Sequence, residues 1–190
     1  LSAFATGITV VATKYNSILY GKTINSFSSL SLSPPLVMFS LDTKSSKLNI
    51  FKKCEIITIN ILSKKQQSVS NNFAKKKPDW KGIDYHSLKN GNPIIKNCVS
   101  NLDCKIIDKI KKGDHIIFIC QVSQVINSDK LKPLIYYNSK YFWWMSLNFK
   151  NTILFIIIFC GFIFFLMNAI ELNSNFKNIK IPNNAQSSSY

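Results

Sequence analysis

The chain has 190 residues, 46% of them hydrophobic and 17% charged, which suits one domain with a substantial core and leaves little room for a second. Its formal net charge is +15, and the 24 lysine and arginine residues are all lysines. Recognition of nucleic acids usually combines arginine side chains with clustered basic patches, whereas these lysines are scattered along the chain. We therefore expect no nucleic-acid partner.

Three extended runs open the chain, and each is predicted to be a strand: residues 8–13, 19–25 and 36–41. The segment at residues 21–36 is rich in small hydroxyl and amide side chains and contains Pro34 and Pro35. Because proline favours extended backbone, the third strand is expected to start directly after it. We expect a turn-rich loop that is held between strands and offers short hydrogen-bond donors to a flat polar ligand.

The middle of the chain alternates between predicted strands and short helices. The spacing of apolar residues indicates a loose helix within residues 42–53, a buried strand at 55–62 and a short helix at 66–73. Residues 75–97 are polar and contain two prolines and two glycines, which predicts a long surface loop.

Two further strands, residues 101–110 and 115–126, are joined by a Lys-Lys-Gly-Asp sequence that is typical of a tight hairpin. Residues 134–143 supply a last predicted strand. Many strands with hairpin links and few short helices predict a mostly β fold, a small barrel.

The character of the chain changes after Trp144. Residues 152–170 are almost uniformly apolar, with Asn168 as the strongly polar exception, and about 20 apolar residues span a bilayer. Lys150 and a lysine-rich domain precede this run, which by the positive-inside tendency places the domain in the cytoplasm. A core helix without a polar face has nowhere to pack in a closed barrel. The alternatives are therefore a tail anchor, which we favour, and a sequence joined to the domain by a frameshift or a misassigned stop.

The expected organisation is a domain at residues 1–144, a C-terminal hydrophobic transmembrane helix within 145–171 and a polar, disordered tail at 172–190. Because Leu1 is not a methionine, we expect the chain to be truncated at its start. The cysteines show no Cys-x-x-Cys pair and no spacing with the histidines that suits zinc. We propose no metal site and expect the five to be reduced, buried thiols: Cys54, Cys98, Cys104, Cys120 and Cys160.

Three motifs occur in order along the chain: Phe-Ala-Thr-Gly at residues 4–7 leading into a β-branched run, the hydroxyl-rich segment at 21–35, and Gly-Asp-His at 113–115. In this combination the chain resembles the flavin reductase family of the FMN-binding split barrel over residues 1–141. The resemblance implies a split β-barrel of Greek-key type, a homodimer, and NAD(P)H-dependent reduction of free flavin. It also implies that the reduced flavin is released to a partner monooxygenase.

The same resemblance implies which residues bind the flavin. The polar edge of the isoalloxazine and the ribityl chain would be bound by Thr23, Asn25, Ser26, Ser29 and Ser31. The phosphate would bind at Ser40 and at the Ser45-Ser46-Lys47 step, where a predicted helix starts, and Phe73 and Ala74 would close over the flavin. Three alternatives stay open: hydroxyls that only satisfy turn backbone, a solvated Lys47 and a Phe73 in the helix core.

The Gly-Asp-His motif places His115 at the head of a strand, where the resemblance implies that it faces the nicotinamide. We prefer this role to that of a structural histidine, and we assign no role to His86. The chain departs from the family at Cys120, where members commonly carry glycine. Hydride transfer needs two stacked rings and little else from the protein, which accounts for the lack of a nucleophile, triad or carboxylate pair among the motifs.

We therefore expect an NAD(P)H:flavin oxidoreductase that uses NADH or NADPH to reduce FMN or FAD. Two other classes stay open, a non-catalytic flavin carrier or membrane-held redox partner and a membrane adaptor with a degenerate barrel. The expected location is a cytoplasmic domain anchored to the inner membrane through residues 152–170.

Overall fold

The computed structural model describes residues 3–142. These residues form twelve strands and two short helices, which confirms the prediction of a mostly β fold with few helices. In chain order the elements are β1 Thr6–Gly7, β2 Thr9–Tyr15, β3 Ile18–Ile24, β4 Ser28–Ser31, β5 Leu36–Asp42, α1 Leu48–Lys53, β6 Ile56–Ile61, α2 Gln67–Ala74, β7 Tyr85–Ser87, β8 Pro93–Ile95, β9 Ser100–Lys112, β10 His115–Asn127, β11 Ile135–Tyr137 and β12 Lys140–Phe142.

The largest sheet in the described part of the chain has seven strands in the order β3-β2-β6-β9-β10-β5-β4, with every neighbouring pair antiparallel. A three-stranded sheet, β1-β11-β12, and the pair β7-β8 complete the strand pairing. The predicted hairpin at residues 111–114 is confirmed, but its strands β9 and β10 are longer than expected, with 13 residues each. Gly113 lies in their turn with φ of +55°, a left-handed conformation that favours glycine.

Two hydrophobic clusters lie on opposite faces of β2, since Val11 belongs to the first and Val10 and Ala12 belong to the second. In β5 the fully buried side chains of Val37, Phe39 and Leu41 alternate with half-buried or exposed ones. Phe39 thereby points into the first cluster. There its ring stacks on Phe118 with 4.8 Å between centroids and meets Phe51 edge-on at 6.5 Å. The second cluster contains Phe73 of α2 together with Leu62 and other buried side chains. Buried side chains of both helices therefore belong to the core, with Phe51 of α1 in the first cluster and Phe73 of α2 in the second.

The hydroxyl-rich segment differs in part from its prediction as a loop. Gly21–Ile24 belong to β3, in agreement with the strand predicted at 19–25, whereas Ser28–Ser31 form the edge strand β4 in place of a loop. β4 pairs with β5, and Ser29 lies opposite Val37. Backbone pairing with a neighbouring strand has overridden the turn preference of serine, because that preference is a local one and the pairing is not.

Residues 75–97 were predicted to be a surface loop, and this is wrong for their second half. The segment contains β7 and β8, and its residues 92–95 are buried. The reason is a long-range one: the backbone N–H of Ile95 donates to Oδ1 of Asn60 at 3.0 Å, and Thr58 Oγ1 donates to the Pro93 carbonyl at 2.6 Å. Polar side chains of the large sheet therefore bind residues 92–95, although the nearby glycine and proline predict a loop there.

The predicted last strand, residues 134–143, is instead a hairpin of β11 and β12 within the described residues. Its turn is Asn138-Ser139, with φ of +47° and +58°. The β2–β3 hairpin turns at the same pair of residue types, Asn16-Ser17, with φ of +47° and +63°. Asparagine tolerates the left-handed conformation better than most residues, so Asn-Ser is the turn signal that the prediction overlooked.

The four cysteines within the described residues are buried and free, as predicted. Burial raises the pKa of the Cys98 and Cys120 thiols to about 12, so neither is a thiolate near neutral pH. Between residues 3 and 142 no helix has the length and apolarity to cross a membrane. The predicted span at 152–170, the tail at 172–190 and Cys160 lie outside the described residues. The membrane anchor and the homodimer stay predictions.

Candidate active site

A polar cavity of about 320 Å³ lies where β3, β5 and the start of β10 meet, and we call it the site pocket. It is lined by residues of three segments of the chain: Lys22, Thr23, Ile24, Asn25 and Ser26; Ser40, Leu41, Asp42, Lys44 and Ser45; and His115. Cavities that bind small molecules usually measure about 300–1,000 Å³. The site pocket is therefore large enough for part of a cofactor.

Strand register brings His115 to the pocket. The residue follows the tight turn between β9 and β10 and lies directly opposite Asp42 of β5. Its Nδ1 lies 2.8 Å from Oδ1 of Asp114, and the hydrogen bond and charge of His115 lower the pKa of the Asp114 carboxyl group. With Nδ1 bonded to the carboxylate, the imidazole is held in orientation and Nε2 is left for other partners.

A short turn after β5 is fixed against the same end of the hairpin. The Thr43 N–H donates to the carbonyl of Asp114 at 2.8 Å, and the Lys44 N–H donates to Oδ1 of Asp42 at 2.7 Å. The Ser45 N–H donates to the Asp42 carbonyl at 2.9 Å. These bonds hold Ser45 close to the turn that precedes His115, although 70 positions of sequence separate the two residues.

Ser26 connects the two sides of the pocket. Its Oγ donates to the carbonyl of Ser40 at 2.8 Å and accepts from the Ser40 N–H at 3.0 Å. Since Ser28 pairs with Met38, this side chain continues the β4–β5 register by two residues. The Ser26 hydroxyl is thus used within the fold, and its effect on a ligand is to hold Asn25 and Ser40 in place.

The β3 side of the pocket is tied to α2. Thr23 Oγ1 donates to the carbonyl of Ser70 at 2.7 Å, and Lys22 Nζ donates to the carbonyl of Ala74 at 3.2 Å. Phe73, in the same helix, is fully buried in the second cluster. The sequence left open whether Phe73 covers the flavin or lies in the helix core, and its burial favours the helix core.

The three consecutive residues predicted to bind the phosphate, Ser45-Ser46-Lys47, do not all line the pocket. Ser46 Oγ donates to the carbonyl of Lys76 at 3.2 Å, and Lys47 Nζ lies 5.7 Å from the centroid of the Tyr20 ring. Neither residue lines the site pocket, whereas Ser45 does. Its Oγ is buried and has no hydrogen-bond partner among the described residues. An unpaired buried hydroxyl is unfavourable unless a ligand supplies the partner.

The structure thus brings together part of the predicted set in one pocket: Thr23, Asn25, Ser26, Ser40 and His115. The other predicted residues lie outside its lining: Ser29, Ser31, Ser46, Lys47, Phe73 and Ala74. Sequence reasoning assigned no role to Lys22, Asp42 or Lys44, which do line it. Lys22 could have been noticed as the one charged side chain among the hydroxyl groups of residues 21–36.

Comparison with known proteins agrees with these observations. The reductase subunit HsaB of a flavin-dependent monooxygenase from Mycobacterium tuberculosis is 33% identical over 144 residues, which cover 74% of this chain and 77% of that protein. The FMN reductase (NADH) SmoA from Agrobacterium fabrum is 32% identical over 129 residues, covering 68% of this chain and 74% of SmoA.

Solved structures agree as well. The Streptomyces globisporus NADH:FAD oxidoreductase SgcE6, in complex with NAD and FAD fragments, matches with a TM-score of 0.73 and 26% identity. The match covers 77% of this chain and 90% of SgcE6. Residues 1–145 match the family described as flavin reductase like domain, and the chain belongs to that family.

Proposed function

We propose that this NAD(P)H:flavin oxidoreductase binds the isoalloxazine of FMN or FAD in the site pocket, and that the nicotinamide of NADH or NADPH docks at the His115 end. The observation that carries the proposal is the convergence of Asn25, Ser40 and His115, from three segments of the chain, on one cavity of about 320 Å³. The relatives support it, because SmoA is named an FMN reductase (NADH) and SgcE6 an NADH:FAD oxidoreductase.

The residues present fit a flavin. An isoalloxazine has an apolar face and a polar edge, and the pocket supplies amide and hydroxyl groups for the edge. On the same face of the sheet, beside the pocket, half-buried Ile117 pairs with Ser40 and gives an apolar neighbour for the ring. The buried hydroxyl of Ser45 is a donor that residues 3–142 leave unused.

The flavin supplies the hydride-accepting chemistry when it is bound. The chain binds and orients: the Asn25 amide and the Ser40 hydroxyl donate to the polar edge, and Ser26 keeps both in register through its bonds to the Ser40 backbone. Asp114 holds His115 so that Nε2 is available to the carboxamide of the nicotinamide. Such fixed donors act mainly by restricting the relative orientation of two reactants.

We further propose that the reduced flavin is released to a flavin-dependent monooxygenase. HsaB is named as the reductase subunit of such an enzyme, which supports this partner class. The rim residues Asn25, Asp42 and Lys44 are exposed, so a flavin can leave the pocket without opening the core.

The first test replaces His115 by alanine and measures flavin affinity, melting temperature and NADH-dependent flavin reduction of the full chain. Loss of one hydrogen bond costs about 0.5–1.5 kcal/mol, so we expect kcat/KM for NADH to fall roughly 2- to 13-fold. Flavin affinity and melting temperature should stay the same, since His115 is half-exposed and outside both core clusters.

The chain offers a matched control in its other histidine. His86 lies exposed on β7 and does not line the site pocket, so His86→Ala should leave all three quantities unchanged. Unchanged kinetics with a lowered melting temperature in His115→Ala would show that His115 is structural. An absence of NADH- and NADPH-dependent flavin reduction by the unmodified chain would contradict the proposed function as a whole.

A further inference from the structure

A second cavity, of about 460 Å³, lies beside the start of α2, and we call it the α2 cavity. Its lining comes from four parts of the chain, within residues 63–69, 82–84 and 95–97 and at Leu131. It shares no residue with the lining of the site pocket, and it is the larger of the two. The proposed function leaves this cavity unused.

Hydrogen bonds fix the walls of the α2 cavity. Gln66 is only 8% exposed; its Oε1 accepts from the Ser63 N–H at 2.9 Å, and its Nε2 donates to the Lys96 carbonyl at 2.8 Å. The Lys96 N–H donates to the Asp84 carbonyl at 2.9 Å, and Lys96 Nζ lies 2.9 Å from Asp84 Oδ1 in an ion pair. The protein's own bonds therefore hold the start of α2 against the neighbouring segments, as is usual for largely preformed binding cavities.

The surface that remains for a ligand is largely apolar. Ile95 is buried, whereas Val69, Ile83 and Leu131 are half-buried and keep part of their surface open. Val69 and Ile83 also pack against the second cluster, so the core fixes their positions. Moving the apolar surface of a ligand from water into such a cavity is favourable. The body of a suitable ligand is therefore apolar.

The charged side chains of the lining favour one anionic group on that ligand. They are Lys65, Lys96 and Asp84, which leaves one positive charge in excess. Asp84 is paired with Lys96, whereas the ion pairs recorded between residues 3 and 142 do not include Lys65. Lys65 is exposed, and its long side chain can hold the ammonium group at the mouth of the cavity. An anionic group would be attracted there, although weakly, because exposed ion pairs contribute little.

We propose that the α2 cavity is a binding site for a small apolar acid, a molecule with an aromatic or branched aliphatic body and one carboxylate or sulfonate group. The body packs on Val69, Ile83, Ile95 and Leu131, and the acid group lies at Lys65. The volume of the cavity falls in the range of about 300–1,000 Å³ that is typical of small-molecule sites. Binding there does not require a flavin in the site pocket.

The test is a fluorescence titration of the full chain with anilinonaphthalene sulfonate, which is an apolar acid. Val69→Phe and Leu131→Phe fill the cavity from two of its walls. Val125→Phe is the matched control, because Val125 lies exposed on β10 outside the cavity. We expect affinity for the probe to fall by about tenfold or more in both filling variants and by less than about twofold in the control, since a filled cavity no longer removes apolar surface from water.

The role of Lys65 is tested with phenylnaphthylamine, which is the same probe without its sulfonate. Lys65→Gln should weaken binding of the sulfonate by about two- to fivefold, as expected for an exposed ion pair, and leave binding of the uncharged probe unchanged. Lys105→Gln is the control, since Lys105 lies exposed on β9 outside the cavity. Equal effects of Lys65→Gln on the two probes would overturn the assignment of an acid.

The melting temperature and the FMN affinity of the same variants show whether each is folded, and both should stay nearly unchanged. Probe affinity that survives in both filling variants, or that falls equally in Val125→Phe, overturns the site. Displacement of the probe by FMN, or a parallel loss of FMN affinity in the filling variants, also overturns it, because the probe would then lie in the site pocket. An unmodified chain that binds the probe as expected but reduces no flavin contradicts the proposed function and supports the α2 cavity.

Discussion

Replacing Asn60 by leucine should lower the free energy of unfolding by about 3 kcal/mol or more, because its side chain joins three parts of the fold. Asn60 is fully buried. Its Nδ2 donates to the Val10 carbonyl at 3.0 Å, and its Oδ1 accepts from the Ile95 N–H at 3.0 Å and from Asn101 Nδ2 at 2.8 Å. Leucine has the same branched shape but forms no hydrogen bonds, so the Ile95 N–H loses its side-chain acceptor, while the Asn101 amide keeps its bond to the Ile95 carbonyl at 3.1 Å. A buried group that is left unpaired costs about 1–3 kcal/mol.

Chemical denaturation of the full chain measures this effect, and Asn127→Leu is the matched control. Asn127 lies exposed at the end of β10 and accepts one hydrogen bond, from Ser100 Oγ at 2.7 Å. Its replacement should cost less than about 0.5 kcal/mol. Similar losses in both variants would mean that the buried amide network does not hold β8 to the sheet.

Replacing Gly21 by alanine should destabilise the fold by about 1–3 kcal/mol and weaken flavin binding at the same time. A Cβ at this position would lie 2.6 Å from two ring carbons of Phe73 and 3.3 Å from Trp80. The Phe73 ring is fully buried in the second cluster, so it has little room to retreat. The displacement would move α2, which binds Thr23 and Lys22 of the pocket wall through its backbone carbonyls.

Gly7→Ala serves as the control for Gly21→Ala, since among the described residues no heavy atom beyond its chain neighbours lies within 4 Å of a Cβ built on Gly7. Thermal unfolding and a flavin titration are measured on both variants. A smaller side chain at the opposing position, Phe73→Leu, should recover part of the stability lost in Gly21→Ala, because the two effects are coupled. Additive losses in the double variant would show that the Gly21 effect does not arise from this contact.

A strand was predictable from the sequence where its own pattern of apolar residues matches the burial that neighbouring strands impose on it. Residues 36–41 and 55–62 alternate or cluster apolar side chains as β5 and β6 do in the structure. The segment at 92–95 could not be predicted, since its burial depends on Asn60 and Thr58, which come more than 30 positions earlier. Hydrogen bonds between side chains and distant backbone groups do not produce a periodic pattern of residue types in the sequence.

The candidate site was partly predictable for a similar reason. The resemblance grouped Thr23, Ser26 and His115, and all three line one pocket. It did not reveal that Ser26 uses its hydroxyl on the Ser40 backbone, or that Lys22 is left without a carboxylate partner among the described residues. Such distinctions depend on which donors and acceptors are already paired, which residue type and spacing do not encode.

A titration of oxidised FMN into Ser40→Leu and Ser29→Leu variants of the full chain tests whether the flavin binds in the site pocket. Ser40 lines the site pocket, whereas Ser29 lies exposed on β4 outside it, although the sequence indicated both as flavin ligands. A leucine at residue 40 narrows the pocket while both backbone bonds to Ser26 can persist. We expect FMN affinity to fall by about tenfold or more in Ser40→Leu, equivalent to about 1.4 kcal/mol, and to change less than about twofold in Ser29→Leu. FMN binding that survives in Ser40→Leu, or that is lost in Ser29→Leu instead, would place the flavin outside this pocket and contradict the account.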